Sequence, residues 1–267
     1  MIDSPAHCGS LAPTVLALFF ANCQAKMMTY YPYNVMNLSR IFLLISVICG
    51  PSIGLAEKIK DDIQSWGNVT AITSLDRFDP ALANVKLWLE GQGRFGDDIS
   101  RFSQAILRTS LGYSLYDNLS IWLGYAWIPN EPTDSDSFDE HRLWQQLLWT
   151  ESFSGGKFMS RSRLEQRFDE RGDDTGWRFR QFLKYYRPFK TTPKLSWVVW
   201  NEIFVDLNQP DWKSDNGFDQ NRAFIGLGFQ MDEQVRTEFG YINQYIRRPF
   251  VDDAMNHIIS FNLFLSY

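Results

Sequence analysis

The chain has 267 residues, 45% hydrophobic and 16% aromatic, with a formal net charge of −5 at pH 7. That is enough apolar material for one sizeable domain, and the acidic balance argues against a nucleic-acid partner. Cys8, Cys23 and Cys49 all precede residue 57 and only His141 and His257 follow it, so the main domain has no disulfide framework and no Cys- or His-rich metal site; no metal or cofactor is expected.

Two apolar runs come first, SLAPTVLALFFANCQA and NLSRIFLLISVICGPSIGLAEK. The second has the grammar of a secretory signal. Arg40 supplies the positive start, and the apolar stretch from Ile41 to Cys49 is too short to span a bilayer as a stable helix. Pro51 and Gly54 break it, and Gly54-Leu55-Ala56 offers a small-residue cleavage site. A retained anchor fits the length poorly, and bulky Ile48 weakens a lipoprotein start at Cys49. Met36 reads as a natural translation start. The expectation is an extension plus cleaved signal over 1–56 and a mature domain over 57–267.

After Asp62 the dominant period is two. NVKLWLEGQGRF sets Val85, Leu87, Leu89 and Phe95 against Lys86, Trp88, Glu90, Gln92 and Arg94. RFSQAILRTSLGYSLY has a partial helical pattern, but Thr109, Gly112, Tyr113 and the Asp117-Asn118 turn favour a strand. NLSIWLGYAWIP sets Leu119, Ile121, Leu123, Tyr125 and Trp127 on one face. NRAFIGLGFQM and QVRTEFGYINQY alternate in the same way, with Ile225, Leu227, Phe239 and Tyr241 on the apolar side. Such segments number about eleven at roughly ten residues each, the length a tilted strand needs to cross a bilayer.

Short connections (DN at Asp117, SGGK, KTTPK, MDE) alternate with long polar ones (PNEPTDSDSFDEH, DERGDDTG, NQPDWKSDNGFDQ, RRPFVDDAMN). The pattern predicts an all-β fold: a closed, antiparallel, up-and-down transmembrane β-barrel. Only a closed sheet leaves no unpaired edge in lipid. The raw count is odd when both the C-terminus and the short turns share one rim, whereas bacterial single-chain barrels are normally even. Parity therefore favours about twelve strands, with ten as the rival. Twelve requires a strand missed or merged near Asp76–Asn84; ten requires that SWGNVTAITSL is not a barrel strand.

The last segment, HIISFNLFLSY, places Ile259, Phe261, Leu263, Leu265 and Tyr267 on one face. It resembles the closing strand of bacterial outer-membrane β-barrels, which ends on an aromatic with apolar residues at alternate positions before it. The resemblance implies that these five residues are an assembly signal read by the outer-membrane assembly machinery. Segments such as IQSWGNVT, LWLEGQGRFGDDISRFSQ, EHRLWQQL, RSRLEQRF, GWRFRQFLKYY, NEIFVDLN and EFGYINQY are similar to one group of bacterial barrels known only as a domain of unknown function. That likeness covers essentially all of 57–267 and implies a single barrel of ten to twelve strands; it implies no activity.

The most charged feature is the pair MSRSRLEQRF and GWRFRQFLKYY, with Arg161, Arg163, Glu165 and Arg167 on one face of the first and Arg178, Arg180 and Lys184 on one face of the second. If their loop centres near Gly172, Glu165 stands opposite Arg180. Unpaired burial of so many like charges is prohibitive, so they meet water or acids such as Glu90, Glu202 and Glu238. Arg94 and Arg222 complete the lumen candidates. Two uses are open: a salt-bridge network that plugs and stiffens the barrel, or a basic wall drawing anions into a narrow, porin-like channel. The other face of the first segment, with Ser160, Ser162 and Gln166, is poor lipid contact.

The Asp-rich loops include Asp134, Asp136, Asp139, Asp173, Asp174, Asp211, Asp215 and Asp252, without EF-hand spacing; they read as solvated loops, or as divalent bridges to lipopolysaccharide. Trp122, Trp127, Trp144, Trp149, Trp177, Trp197, Trp200 and Tyr245 suit interfacial girdles. The alternative function is a lipid-modifying outer-membrane enzyme, an acyl hydrolase or transferase. Against it, His257 and Ser260 fall on opposite strand faces and no base–nucleophile pair is evident. A soluble periplasmic barrel would need its apolar face turned inward. The expected setting is the outer membrane of a Gram-negative bacterium, reached by export through the inner membrane, as a monomer among lipid and lipopolysaccharide.

Overall fold

The computed structural model describes residues 59–267, Asp134 excepted. The expected signal segment, its cleavage site and the Met36 start lie outside the described residues. Within them, eleven strands follow in order: β1 (Ile59–Ser74), β2 (Val85–Gly96), β3 (Arg101–Tyr116), β4 (Leu119–Asn130), β5 (Phe138–Phe153), β6 (Gly156–Asp169), β7 (Gly176–Pro188), β8 (Leu195–Asp206), β9 (Gly217–Gln230), β10 (Val235–Ile246) and β11 (Asp253–Ser266). Each pairs with its sequence neighbour, and β1 pairs with β11 to close a barrel.

Every neighbouring pair is antiparallel except the closure, where β1 and β11 run parallel in register from Ile59↔Asp253 to Ile72↔Ser266. A meander of alternating strands closes antiparallel only when the strand number is even. Eleven strands leave one parallel seam, so the direct count of about eleven stands and the parity step to twelve does not. SWGNVTAITSL is a true barrel strand, part of β1. No strand hides near Asp76–Asn84: Leu75–Arg77 and Pro80–Leu82 are two short 3-10 turns, capped by Ser74 and Asp79. Asp79 Oδ1 accepts from the Ala81 amide at 2.9 Å, and Pro80 presets the turn.

The loops over 97–100, 131–137, 170–175, 207–216 and 247–252 share one rim with the start of β1. The other rim carries the connections over 75–84, 117–118, 154–155, 189–194 and 231–234. Short turns therefore dominate one end, with two departures: the 75–84 connection is long and the 97–100 turn is tight. That turn puts Asp97, Asp98 and Ile99 in succession at φ of 55°, 54° and 65°, a conformation that costs non-glycine residues about 1–2 kcal/mol each. Asp62 of β1 supports it, accepting from the amides of Asp97 (3.4 Å) and Asp98 (3.0 Å), while Ile99 N–H donates to Ile63 O at 3.1 Å.

The barrel is inside-out relative to a soluble domain. Outward residues such as Leu123 (61% exposed), Phe239 (59%) and Ile225 (54%) stand bare, while Arg163, Glu165 and Glu238 inside are each 1% exposed. The period of two has sorted the faces as the sequence implied, and the inward-facing apolar core of a soluble barrel is not what forms. Ile259, Phe261, Leu263, Leu265 and Tyr267 continue the outward stripe along β11. The interior is not wholly polar, however. Trp66, Val198, Phe224, Ile242 and Ile258 form one buried cluster, and Trp88, Trp122 and Trp144 another.

Those indoles correct the girdle expectation. Trp122 and Trp144 are buried inside and Trp200 packs inward on Phe224 at 5.2 Å between centroids, whereas Trp127 and Trp197 do face outward. The reason is steric. Gly112 and Gly124 face inward, and a Cβ on them would stand 2.5 Å and 2.2 Å from the Trp122 and Trp144 rings. Two glycines on the lumen wall let two indoles lie flat across it.

Candidate functional site

The charged lumen is built by alternation along β5 to β8, with β10 reaching across. Arg161, Arg163, Glu165 and Arg167 point inward from β6, and Arg178, Arg180 and Lys184 from β7. The register between them is Glu165↔Arg178 and Arg163↔Arg180. The expected Glu165–Arg180 opposition is therefore off by two residues. The loop turns between Arg171 and Gly172, because Asp169 accepts from the Arg171 amide (3.1 Å) and its guanidinium (2.7 and 2.8 Å) and Gly172 N–H returns to Asp169 O (3.3 Å).

This register sets two guanidiniums side by side, which carboxylates on each side must offset. Glu165 accepts from Arg178 Nη2 (2.7 Å) and Nε (3.1 Å) and from Arg180 Nη1 (2.6 Å). Arg142 and Arg163 stand 3.7 Å away. Glu202 of β8 takes Arg161 and Arg180, each at 2.7 Å. Glu238 of β10 takes Lys184 at 2.7 Å and Arg236 at 3.1 Å. Glu140 binds Arg142 (2.7 Å) and Arg167 (2.5 Å). Glu90 meets Arg108 of β3 at 2.5 Å rather than the β6–β7 wall.

The aromatic residues serve the same cations. Arg178, Arg180 and Arg222 lie over Phe204 at 5.3, 4.4 and 4.6 Å, Arg161 over Phe182 at 4.4 Å, and Arg163 over Trp144 at 4.0 Å. A guanidinium can stack flat on a ring while its in-plane N–H groups hold a carboxylate. Arg94 and Arg222 differ from the rest. Both lie over Trp66, at 3.8 and 4.9 Å, and both bond to amides instead of acids: Arg94 to Gln104 (2.6 Å) and Gln92 (3.0 Å), Arg222 to Gln220 (3.2 Å).

All twelve lumen candidates thus come from inward positions, and the structure brings most of them into one network. The reading of the sequence missed Arg108, Glu140, Arg142 and Arg236. The signal was present: EHRLWQQL alternates Glu140, Arg142, Trp144 and Gln146 on one face, as the structure has it. The middle of the network is buried: Trp144, Arg163 and Glu165 are each no more than 1% exposed.

Toward the long-loop rim, two loops clasp each other above the lumen. Asp211 accepts from the amides of Asp173 (3.0 Å) and Asp174 (3.2 Å), and Asp174 accepts in return from the Asp211 amide (3.0 Å). The Asp173 and Asp174 amides hold the Asp211 carboxyl below the ordinary aspartate range. Trp212 then reaches the Asp174 carbonyl (2.8 Å) and covers Arg167, while Lys213 turns in to bond Asp206 and Asp219.

The outward face carries two matched couples. Tyr125 bonds His141 Nδ1 and Tyr241 bonds His257 Nδ1, each at 2.6 Å with the rings stacked. Neither histidine bonds a serine hydroxyl among the described residues, and Ser260 is buried on the inward side. The outward polar residues of β6 are also accounted for. Ser162 donates to Gln181 (2.6 Å), Gln181 to Ser160 (3.0 Å), and Gln145 and Gln166 exchange two amide bonds (3.0 and 2.9 Å). Asn201 and Asn221 form a like pair at 3.1 Å. These cross-strand pairs satisfy the polar groups of the outer face with one another.

A family model described as a protein of unknown function (DUF2490) matches residues 63–255. An uncharacterized protein of Methylorubrum extorquens is 36% identical over 230 residues, covering 84% of this chain and 97% of its own length. No solved structure matches the chain. The matched span runs from β1 to the start of β11, so the closed barrel with its charged lumen is what the match encompasses: the chain belongs to the DUF2490 family.

Proposed function

We propose that this protein is an outer-membrane β-barrel of a Gram-negative bacterium whose lumen is closed by its own charged network: a structural barrel rather than an open pore. The observation that carries the reading is the inversion of its faces. A continuous apolar stripe stands bare on the outside while guanidiniums and carboxylates are buried within. In water that arrangement exposes far more contiguous apolar surface than soluble proteins carry; against acyl chains it is the favoured one.

The lumen reading follows from packing. Small barrels fill with side chains, and here ion pairs, indoles and phenyl rings occupy the middle. The natural surroundings are outer-membrane lipid and lipopolysaccharide, with the β11 stripe of Ile259, Phe261, Leu263, Leu265 and Tyr267 presented to the assembly machinery. Cell fractionation tests the setting. The protein should sediment with outer membranes, resist extraction by alkaline carbonate, and refold from urea only with detergent or lipid. Recovery as a folded species in detergent-free buffer would overturn it.

A further inference from the structure

One corner of the lumen is rich in hydrogen-bond donors that lack acceptors. Trp144 is fully buried and its indole N–H has no partner. Arg163 spends Nε and Nη2 on Gln146 Oε1, at 2.9 and 2.6 Å, while its Nη1 makes no hydrogen bond. The Gln146 side-chain N–H groups, the Ser110 hydroxyl and Arg108 Nε are likewise buried and unmatched. All five residues are at most 8% exposed. The five are contiguous. Arg163 lies on the Trp144 ring at 4.0 Å and bonds Gln146. Trp144 and Ser110 both border the site a Cβ on Gly124 would fill, and Arg108 is two residues from Ser110 on the same face of β3.

Leaving a buried donor unmatched costs about 1–3 kcal/mol, and several together would consume much of a domain's net stability. The corner therefore calls for an acceptor. Its charge selects the kind. Glu90 is engaged by Arg108, and Glu165 is shared among Arg142, Arg163, Arg178 and Arg180. Positive charge is in excess there, and every one of the five side chains is buried.

We propose that Arg108, Ser110, Trp144, Gln146 and Arg163 form a binding site for one small inorganic anion of halide size. Indole, guanidinium, amide and hydroxyl hydrogens would enclose it, and the anion would balance the surplus guanidinium charge of this wall. The site depends on the inward placement of these residues and is independent of whether the barrel sits in a membrane.

The test uses detergent-refolded protein, melted at fixed pH and ionic strength while sodium gluconate is exchanged stepwise for sodium chloride. Gluconate is too large for the site. A saturable rise in Tm with chloride is expected, because a ligand of the folded state alone stabilises it in proportion to ln(1 + [L]/Kd). Trp144→Phe keeps an aromatic ring and removes the N–H, and should weaken the apparent chloride affinity by about tenfold, the equivalent of one lost hydrogen bond. Ser110→Ala is the second variant should Trp144→Phe fail to fold. A wild-type Tm indifferent to chloride would overturn the proposal in favour of water as the acceptor. An identical chloride response in the folded variants would overturn it in favour of a surface effect.

Discussion

Glu165 and Arg178 face each other directly across β6 and β7, bonded at 2.7 Å inside the barrel, and Glu165 is within 4 Å of three further guanidiniums. A carboxylate so placed is the keystone of its wall. Substituting it does not merely delete one bond; it leaves several buried cations uncompensated. Glu165→Gln should destabilise the barrel by about 3–5 kcal/mol, read as a shift in the urea midpoint of the compact band on unheated gels. Arg171→Ala removes an ion pair whose arginine side chain is 49% exposed and should cost about 0–1 kcal/mol. Equal effects from the two would mean that water reaches the lumen wall freely.

Leu107 lies near the middle of β3 and is 48% exposed on the outside. In water, arginine there would be close to neutral. In a bilayer, arginine at mid-depth on the lipid face costs about 2–4 kcal/mol. Leu107→Arg should lose that much in lipid vesicles, and a Leu→Arg change at rim residue Leu207 should lose far less. Indifference at Leu107 would place the strand outside the hydrocarbon.

The parallel seam makes a sharp geometric claim. Ser65 and Ile259 are register partners across β1 and β11. With Cys8, Cys23 and Cys49 changed to alanine, the pair Ser65→Cys and Ile259→Cys should cross-link within one chain and preserve the folded band. Ser65→Cys with Phe261→Cys should cross-link poorly. Efficient bonding of the second pair alone would mean a different closure.

The loop clasp should be sensitive to acid. The Asp211 carboxyl is held below its ordinary value by amides donated from Asp173 and Asp174. A depressed folded value means the stabilising contribution is complete above the unfolded aspartate value of about 3.9 and is lost as pH falls through the folded one. The fluorescence of Trp212, taken as the difference between wild type and Trp212→Phe, should change only below about pH 4. In Asp211→Asn that change should already be present at neutral pH. A wild-type transition near neutrality would contradict the assignment.

Alternation along each strand was readable because a barrel with one apolar and one polar face leaves a period of two in every segment. The stripe from Leu119 to Trp127 and that from Ile259 to Tyr267 face outward as read. Pairing across strands was less readable. A loop such as 170–175 admits more than one centre, and which one wins depends on Asp169 capping Arg171, a contact between side chain and turn. Closure was least readable: whether β1 joins β11 depends on geometry around the whole ring, and the general preference for even numbers pointed the wrong way. The lumen network was visible as stripes, but the pairing of Lys184 on β7 with Glu238 on β10, which reaches across the lumen, is set by that same closed geometry. Trp144 was misread as an interfacial residue because the space beneath it belongs to Gly124 on the neighbouring strand.

The most direct test of the central claim is ion conductance across planar bilayers, with insertion verified by the compact gel band of the same preparation. A barrel filled at mid-height by Arg163, Glu165 and Trp144 should leave the membrane at its baseline over the usual voltage range. Stable, uniform current steps from wild-type protein, altered in ion selectivity by Arg163→Glu, would show a water path through the middle and contradict a closed lumen.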